Sequence, residues 1–368
     1  MHFRFALLVQ FSVASVLLAG CAGPPALPPE KTLSVDPVEL VRGSEVPGYP
    51  ELMLEREGVG YLFSSPANRA EFVKHPSKYE VADGGACGRM GALSGKGDAR
   101  RYAVHDGRIY FFASDGCRAG FLRNPSASIE NDDAPPVGTP ETAEQGIAIL
   151  NRAVAWAGGR DRLRAVRSYR ESAQRIEKSG DKDWTVTTVF AAKFPGRAFH
   201  LESWNDSWFA TDERGGRATM MSGQGDEPMA AARMRAFDRF NARRAVTILK
   251  ACADGADGLV CVSAGVGEVN GVAVEYVLVG LNGATSRLGV AKADGRPVSL
   301  SFRGRDGTQS VGQSVRTYTR SAAVAGVTLP TAYTVAFDGK DAPRSGATVD
   351  AFEINPPLAT DLAASFRK

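Results

Sequence analysis

The sequence predicts an α+β chain: a small strand-helix module comes first, and a long antiparallel β meander with a few helices follows. Three observations predict this. An aromatic strand-and-helix pattern occurs twice at a fixed offset of 49 residues. From Val166 onward, alternating polar and apolar runs are separated by Asn-Gly and Asp-Gly pairs, the strongest short-range hairpin signal. Between the two regions, residues 130–140 are polar, interrupted by Pro135, Pro136 and Pro140, and without periodicity, which marks a boundary. At 368 residues the chain is long enough for two or more domains with cores of their own.

The chain opens with one firm positive charge at Arg4 and an apolar run from Phe5 to Leu18, broken only by Gln10, Ser12 and Ser15. Leu18-Ala19-Gly20-Cys21 follows. This is the layout of a secretory signal over residues 1–20. A spanning helix needs about 20 mostly apolar residues, and this run is shorter and ends in small ones, so cleavage is expected over retention as an anchor. Leu-Ala-Gly-Cys resembles the lipobox of bacterial lipoproteins, which implies that Cys21 is diacylated and becomes the new N-terminus. Each buried CH₂ is worth ~0.8 kcal/mol and one chain alone is marginal, so several chains on one residue hold stably. Ala22, where an aspartate would signal inner-membrane retention, implies the outer membrane facing the periplasm. Residues 21–34, containing Gly23-Pro24-Pro25-Ala26-Leu27-Pro28-Pro29, read as an extended tether.

The net charge of +3 falls to +2 once Arg4 leaves with the signal, so neither a nucleic-acid partner nor a polybasic membrane surface is indicated. With Cys21 assigned to lipid, Cys87, Cys117, Cys252 and Cys261 remain. An even number in an oxidising compartment suggests two disulfides, one within each half of the chain.

The repeated pattern lies in residues 35–129. Gly58-Val59-Gly60-Tyr61-Leu62-Phe63-Ser64-Ser65 continues to Arg69, Phe72 and Pro76; Gly107-Arg108-Ile109-Tyr110-Phe111-Phe112-Ala113-Ser114 continues to Arg118, Phe121 and Pro125. Each copy reads as an aromatic strand, a capping serine and a short helix whose Phe packs back before proline ends it. Asp36-Pro37-Val38, Cys87-Gly88-Arg89-Met90, Cys117, Phe121 and Asn124-Pro125 resemble the YHS and TRASH family of small metal-associated modules. The first copy has no cysteine, and Ala113 stands where the family has its first thiol. A structural zinc site wants four Cys or His ligands, and only Cys87 and Cys117 remain, with Met90, His75 and His105 as helpers. Three states stay open for the pair: a disulfide, which is preferred, a copper or zinc site, and free thiols. Thiolate and thioether ligands would select Cu(I). His75 and His105 read as loop residues.

After the linker at 130–142, the β-rich domain occupies 143–368. A helix is expected from Glu141 to Ala157, with Ile147, Leu150, Val154 and Ala157 on one face, stopping at Gly158-Gly159. Ten strands follow at 167–178, 184–194, 197–204, 207–213, 258–266, 271–280, 285–293, 297–304, 312–322 and 327–338, with one helical stretch at 228–250. The helix running into a strand at 157–166, together with the meander, resembles the LolA and LolB lipoprotein carriers. That resemblance implies a curved sheet, a half-barrel whose concave face holds helices or acyl chains. Cys252 and Cys261 flank a turn-rich loop, and bridging it would contribute roughly 2–3 kcal/mol. Arg235, Arg239 and Arg243 line one helical face, read as solvated, with an anionic ligand or headgroup as the alternative. Trp204, Trp208 and Phe209 surround a hairpin turn and would either line a hydrophobic mouth or pack the strands.

No Gly-x-Ser-x-Gly elbow, His-Glu-x-x-His pair or phosphate loop occurs, and only three histidines follow the signal. The expectation is a non-enzymatic, membrane-anchored periplasmic lipoprotein binding a hydrophobic or lipid-like ligand in the half-barrel. The alternative is a periplasmic copper- or zinc-binding protein using Cys87 and Cys117.

Overall fold

Strand alternation and serine caps organise the N-terminal region. The computed structural model describes residues 29–93, 95–179, 182–223, 225–305 and 309–367. The signal and Cys21 lie outside the described residues, as does the Gly180-Asp181 turn. β1 (Thr32–Leu33), α1 (Pro37–Val41), β2 (Tyr49–Arg56), β3 (Val59–Phe63), α2 (Pro66–Lys74) and α3 (Pro76–Tyr79) form a first unit. β4 (Asp98–His105), β5 (Arg108–Phe112) and α4 (Asp115–Arg123) form a second. In both, an antiparallel hairpin is followed by a helix. Ser65 Oγ accepts the Asn68 N–H at 3.2 Å and Ser114 Oγ accepts the Cys117 N–H at 3.1 Å, each satisfying an orphan donor of its helix. Tyr61 and Phe63 point to one face of β3 and meet Phe72 at 4.7 and 5.3 Å. Tyr110 and Phe112 meet Phe121 at 4.8 and 5.2 Å. Thr32 and Leu33, within the stretch expected to be tether, instead pair in parallel with β3, and Leu33 is fully buried.

The rest of the chain comprises α5 (Pro140–Trp156), α6 (Arg160–Ala165), β6 (Ser168–Ser179), β7 (Lys182–Lys193), β8 (Arg197–Trp204), β9 (Ser207–Arg214), β10 (Arg217–Ser222) and β11 (Gly225–Pro228). Then come α7 (Ala231–Ala242), α8 (Ala245–Asp254), β12 (Val260–Val269), β13 (Val272–Leu281), β14 (Ala284–Ala291), β15 (Pro297–Arg305), β16 (Val311–Val324), β17 (Val327–Phe337) and β18 (Lys340–Ile354). Thirteen strands make one curved antiparallel sheet in the order β11-β10-β9-β8-β7-β6-β18-β17-β16-β15-β14-β13-β12. Two meanders therefore grow outward in opposite directions, and their inner strands, β6 and β18, join them at the middle. At the Asn270-Gly271 and Asn282-Gly283 turns both residues have positive φ, as the tight hairpin turn requires.

α5, α6 and α8 cover one face of the sheet. Leu150, Ala153, Leu163, Ile248 and Leu249 bury there against Val277, Leu288, Val290, Leu300 and Leu329. Ile147, expected on the buried face of α5, is 39% exposed; the burying face runs instead through Ile149, Leu150, Ala153 and Val154. The opposite face of β7–β10 is crossed by the C-terminal segment. Leu358, Leu362, Ala363 and Phe366 pack on Phe199, Leu201, Ala210 and Met221. The Arg197 guanidinium donates to the carbonyls of Ala359 and Thr360 at 2.8 and 3.1 Å.

Two differences from the sequence expectation have physical causes. β10, β11 and β18 are additional strands: β10 and β11 are short and flanked by glycines, while β18 begins with charges and Pro343, so none shows a clean alternation. The single helical stretch at 228–250 is two helices. Arg243 and Arg244 leave the helix, Arg244 with extended backbone at φ −113° and ψ 136°. Their side chains pair in different directions, Arg243 with linker carboxylates and Arg244 with Glu171.

That pairing also corrects the arginine face. Arg235 is exposed, but Arg239 and Arg243 are each only 6% exposed. Arg239 pairs with Asp132, and Arg243 reaches Glu130 at 2.6 Å and Asp133 at 3.4 Å. The polar linker folds back over α7 and neutralises the face that would otherwise be solvated.

Candidate functional site

Between the helix-covered face of the sheet and the α7–α8 junction lies a cavity of about 130 Å³. Six consecutive strands of the sheet, β8, β7, β6, β18, β17 and β16, form its floor. Phe240 and the segment from Arg244 to Val246 roof it. An engineered apolar cavity of about 150 Å³ admits benzene, so this one has room for a group of roughly that size.

Charged and apolar side chains share the lining. Glu171 accepts from the Arg244 guanidinium at 2.6 Å and from the Tyr169 hydroxyl at 2.5 Å. Arg175 and Glu202 form a two-pronged pair at 3.1 and 2.9 Å. Arg244 is packed between Phe190 and Phe240, 4.0 and 5.0 Å from their ring centres. Arg316 lies over Phe302 and Tyr333 at 4.8 and 5.1 Å and donates to the Arg243 carbonyl at 3.2 Å. Planar guanidinium groups suit both the bidentate pair and the ring contacts. His200 packs on Phe240 at 4.6 Å; burial, reinforced by Arg244 and Arg175, holds its pKa well below the ordinary histidine value, so the imidazole is neutral. Burial likewise raises the Tyr169 phenol, with Glu171 adding to it, and raises Tyr318. Both remain protonated donors. The apolar share comes from Ala173, Val246, Leu329, Pro330, Ala347 and Val349.

Trp204, Trp208 and Phe209, expected either to line a hydrophobic mouth or to pack the strands, are not among the residues of this cavity. Phe209 is directly opposite Glu202 and Trp204 is two residues beyond it, so both share the cavity's face of the sheet and meet edge to face at 5.7 Å. They lie outside the cavity lining. Trp208 points to the other face and packs against Phe366 of the C-terminal segment at 6.3 Å. The charged lining was missed because its members are scattered from Glu171 to Arg316. A signal was present in β6: Glu171 and Arg175 fall in phase with Tyr169 and Ala173, placing charge where the strand pattern buries side chains.

The two cysteine pairs are each brought together, and all four residues are thiols in this structure. Cys87 is fully buried and Cys117 packs against its cluster with Met90. Cys252 and Cys261 share the main core. Burial raises the Cys87 and Cys252 thiols, and burial together with Cys252 pushes Cys261 up to about 12. Among the described residues no group of three His, Cys, Asp or Glu side chains could hold a metal. His75 is exposed at the junction of α2 and α3, and His105 stacks edge-on against Phe121 at 5.9 Å. One buried thiol beside one half-buried thiol falls short of the four ligands of a closed zinc site.

The two N-terminal units share one further detail. Asp36 is fully buried; its Oδ1 accepts the N–H groups of Val38 and Glu39 at 2.8 and 3.2 Å, and its Oδ2 accepts the Ser64 N–H at 2.7 Å. In the second unit the N–H groups of Arg89, Met90 and Ala113 surround the Cys87 sulfur. The spacing from acceptor to donors is the same at the near positions, and Ala113 is the counterpart of Ser64 at the 49-residue offset.

Two solved structures share part of this layout. A domain described as an outer membrane lipoprotein-sorting protein from Vibrio parahaemolyticus is 11% identical with a TM-score of 0.40, covering 61% of this chain and 97% of that one. A LolA superfamily protein from Nitrosomonas europaea is 10% identical with a TM-score of 0.41, covering 59% of this chain and 95% of that one. No protein-family model matches the sequence, and neither does any curated protein.

Proposed function

We propose that this chain is a lipid-anchored protein of the bacterial envelope that binds a hydrophobic or lipid-like ligand on the concave face of its large sheet. The observation that carries the reading is the cavity between six sheet strands and the α7–α8 junction, with an apolar wall from Ala173, Leu329 and Val349 beside a charged one. Sites for small molecules are concave and mostly apolar, with a few placed polar groups. At about 130 Å³ the cavity is smaller than the 300–1,000 Å³ usual for such sites, so a long acyl chain requires α7 and α8 to move outward.

In this reading residues 1–20 are the export signal, Cys21 carries the acyl chains, and the YHS-like pair of units at 35–129 is a membrane-proximal docking module. The oxidising compartment joins Cys87 to Cys117 and Cys252 to Cys261. Mass spectrometry of the intact protein tests both parts. Co-purified lipid, and a mass two hydrogens lower for each cysteine pair without bound metal, are the expected results; bound copper or zinc at Cys87 and Cys117 would replace this reading with the metal-handling one. Cys21→Ser should move the protein from the membrane to the soluble fraction, and a variant that stays in the membrane removes the anchor from the proposal.

A further inference from the structure

Of the cavity's ionic side chains, Glu171 is paired with Arg244 and Glu202 with Arg175, while His200 is neutral. Arg316 has no carboxylate partner among the described residues; its one hydrogen bond goes to the Arg243 carbonyl. Among the described residues the lining thus holds three guanidinium groups and two carboxylates, and Arg316 pairs with neither carboxylate. The Arg244 Nε–H is buried and has no hydrogen-bond partner among the described residues. A buried charged donor left unmet is unfavourable, so a ligand oxygen arriving there recovers an existing deficit. The phenols of Tyr318 and Tyr333, on neighbouring strands, complete the surroundings.

We infer that the cavity recognises a carboxylate-type monoanion, held by Arg316 with help from Arg244 Nε and a tyrosine hydroxyl. A guanidinium presents donors in a fixed fork that matches the two oxygens of a carboxylate. The cavity accepts the anionic end and the first few carbons, and the apolar wall of Leu329, Pro330 and Val349 faces the remainder. This deepens the proposed ligand-binding function and rests on it for the ligand's apolar part, but the charge preference stands on Arg316 alone.

The test uses the full chain carrying Cys21→Ser and three probes followed by calorimetry at pH 7.5: decanoate, decanol and acetate. Decanoate should bind at least tenfold tighter than decanol. Arg316→Gln should weaken decanoate about tenfold while leaving decanol unchanged, which also shows that the variant is folded, and Arg316→Lys should keep part of the preference. Acetate that competes with decanoate through Arg316 supports the anion site with a free small acid as its occupant. Decanoate binding untouched by acetate supports it with a lipid-like headgroup as the occupant. Equal binding of decanoate and decanol, or an equal loss of both in Arg316→Gln, overturns the anion site and leaves the hydrophobic-ligand reading standing. Acetate binding through Arg316 without binding of either ten-carbon probe overturns the lipid-like reading alone. Binding of none overturns both.

Discussion

Asp36 and Cys87 show how one backbone device serves two different acceptors. Burial by itself raises the Asp36 carboxyl, but donors from Ser64, Asn68 and Glu39 outweigh it and hold the group below the usual carboxylate value. Burial wins at Cys87, because sulfur is a weak acceptor and its donors do less. Asp36→Ala leaves the Ser64 N–H and the Asn68 amide without their buried acceptor and should cost about 3 kcal/mol in urea denaturation, since bonds to a charged group are worth roughly 1.5–3 kcal/mol each. Cys87→Ala should cost clearly less under reducing conditions. His200 gives a pH signature. Its folded pKa lies below the unfolded value of about 6.5, so the unfolded chain binds more protons as pH falls beneath that point. Stability should therefore be complete above pH 7 and fall as acid is added, with a slope of up to about 1.4 kcal/mol per pH unit from this group. His200→Gln should flatten that slope; an unchanged slope would mean that the imidazole is protonated in the fold. At this scale the sequence was least informative about the cavity. Its pairs join residues as distant as Glu171 and Arg244, and no local spacing announces them.

Among the elements, the helix-to-helix break does the most unexpected work. The i,i+4 spacing of Arg235, Arg239 and Arg243 is legible as one helical face, yet spacing alone does not say what covers it. Acidic residues of an apparently plain linker do: Glu130, Asp132 and Asp133 meet that face, and the Asp133 carboxylate also accepts the Thr285 N–H at 2.9 Å. Removing one partner of a largely buried ion pair costs about 3–5 kcal/mol because the other charge is stranded. Arg243→Ala should lose about that much by chemical denaturation and should expose the 130–139 segment to proteolysis. Glu130→Ala should lose nearly the same, and the double variant less than the sum, because both act on one pair. α7 is further tied to the N-terminal units by Arg233, which donates to the Ala92 carbonyl at 2.7 Å, and by the Ala231 N–H to Glu57 at 2.6 Å. The roof of the cavity is thus braced from the opposite end of the chain.

Over the whole molecule, what was readable was whatever repeats locally. Ten of the thirteen strands and their tight turns follow from alternation and Asn-Gly pairs, and the hairpin-helix contacts recur at the offset visible in the sequence. The way the two meanders meet was not readable, because β6 pairs with β18 across most of the domain and nothing in either strand specifies so distant a partner. The C-terminal segment was missed for a similar reason: Leu358, Leu362 and Phe366 look like a loose apolar tail until Phe199 and Leu201 are seen beneath them. Deleting residues 357–368 should bare that face, lower the thermal midpoint and raise binding of a hydrophobic dye, and an unchanged midpoint would show the segment to be dispensable.

The adjacency of β6 and β18 also sets a timetable. Tyr169, Glu171 and Arg175 stand on one side of the central seam, and Ala347 and Val349 on the other. A chain emerging N-terminus first from the ribosome can complete its N-terminal hairpins early. The cavity's floor has a gap until residue 349 is out. The site is therefore assembled last, and a ligand can enter it only after the final strand has closed the seam.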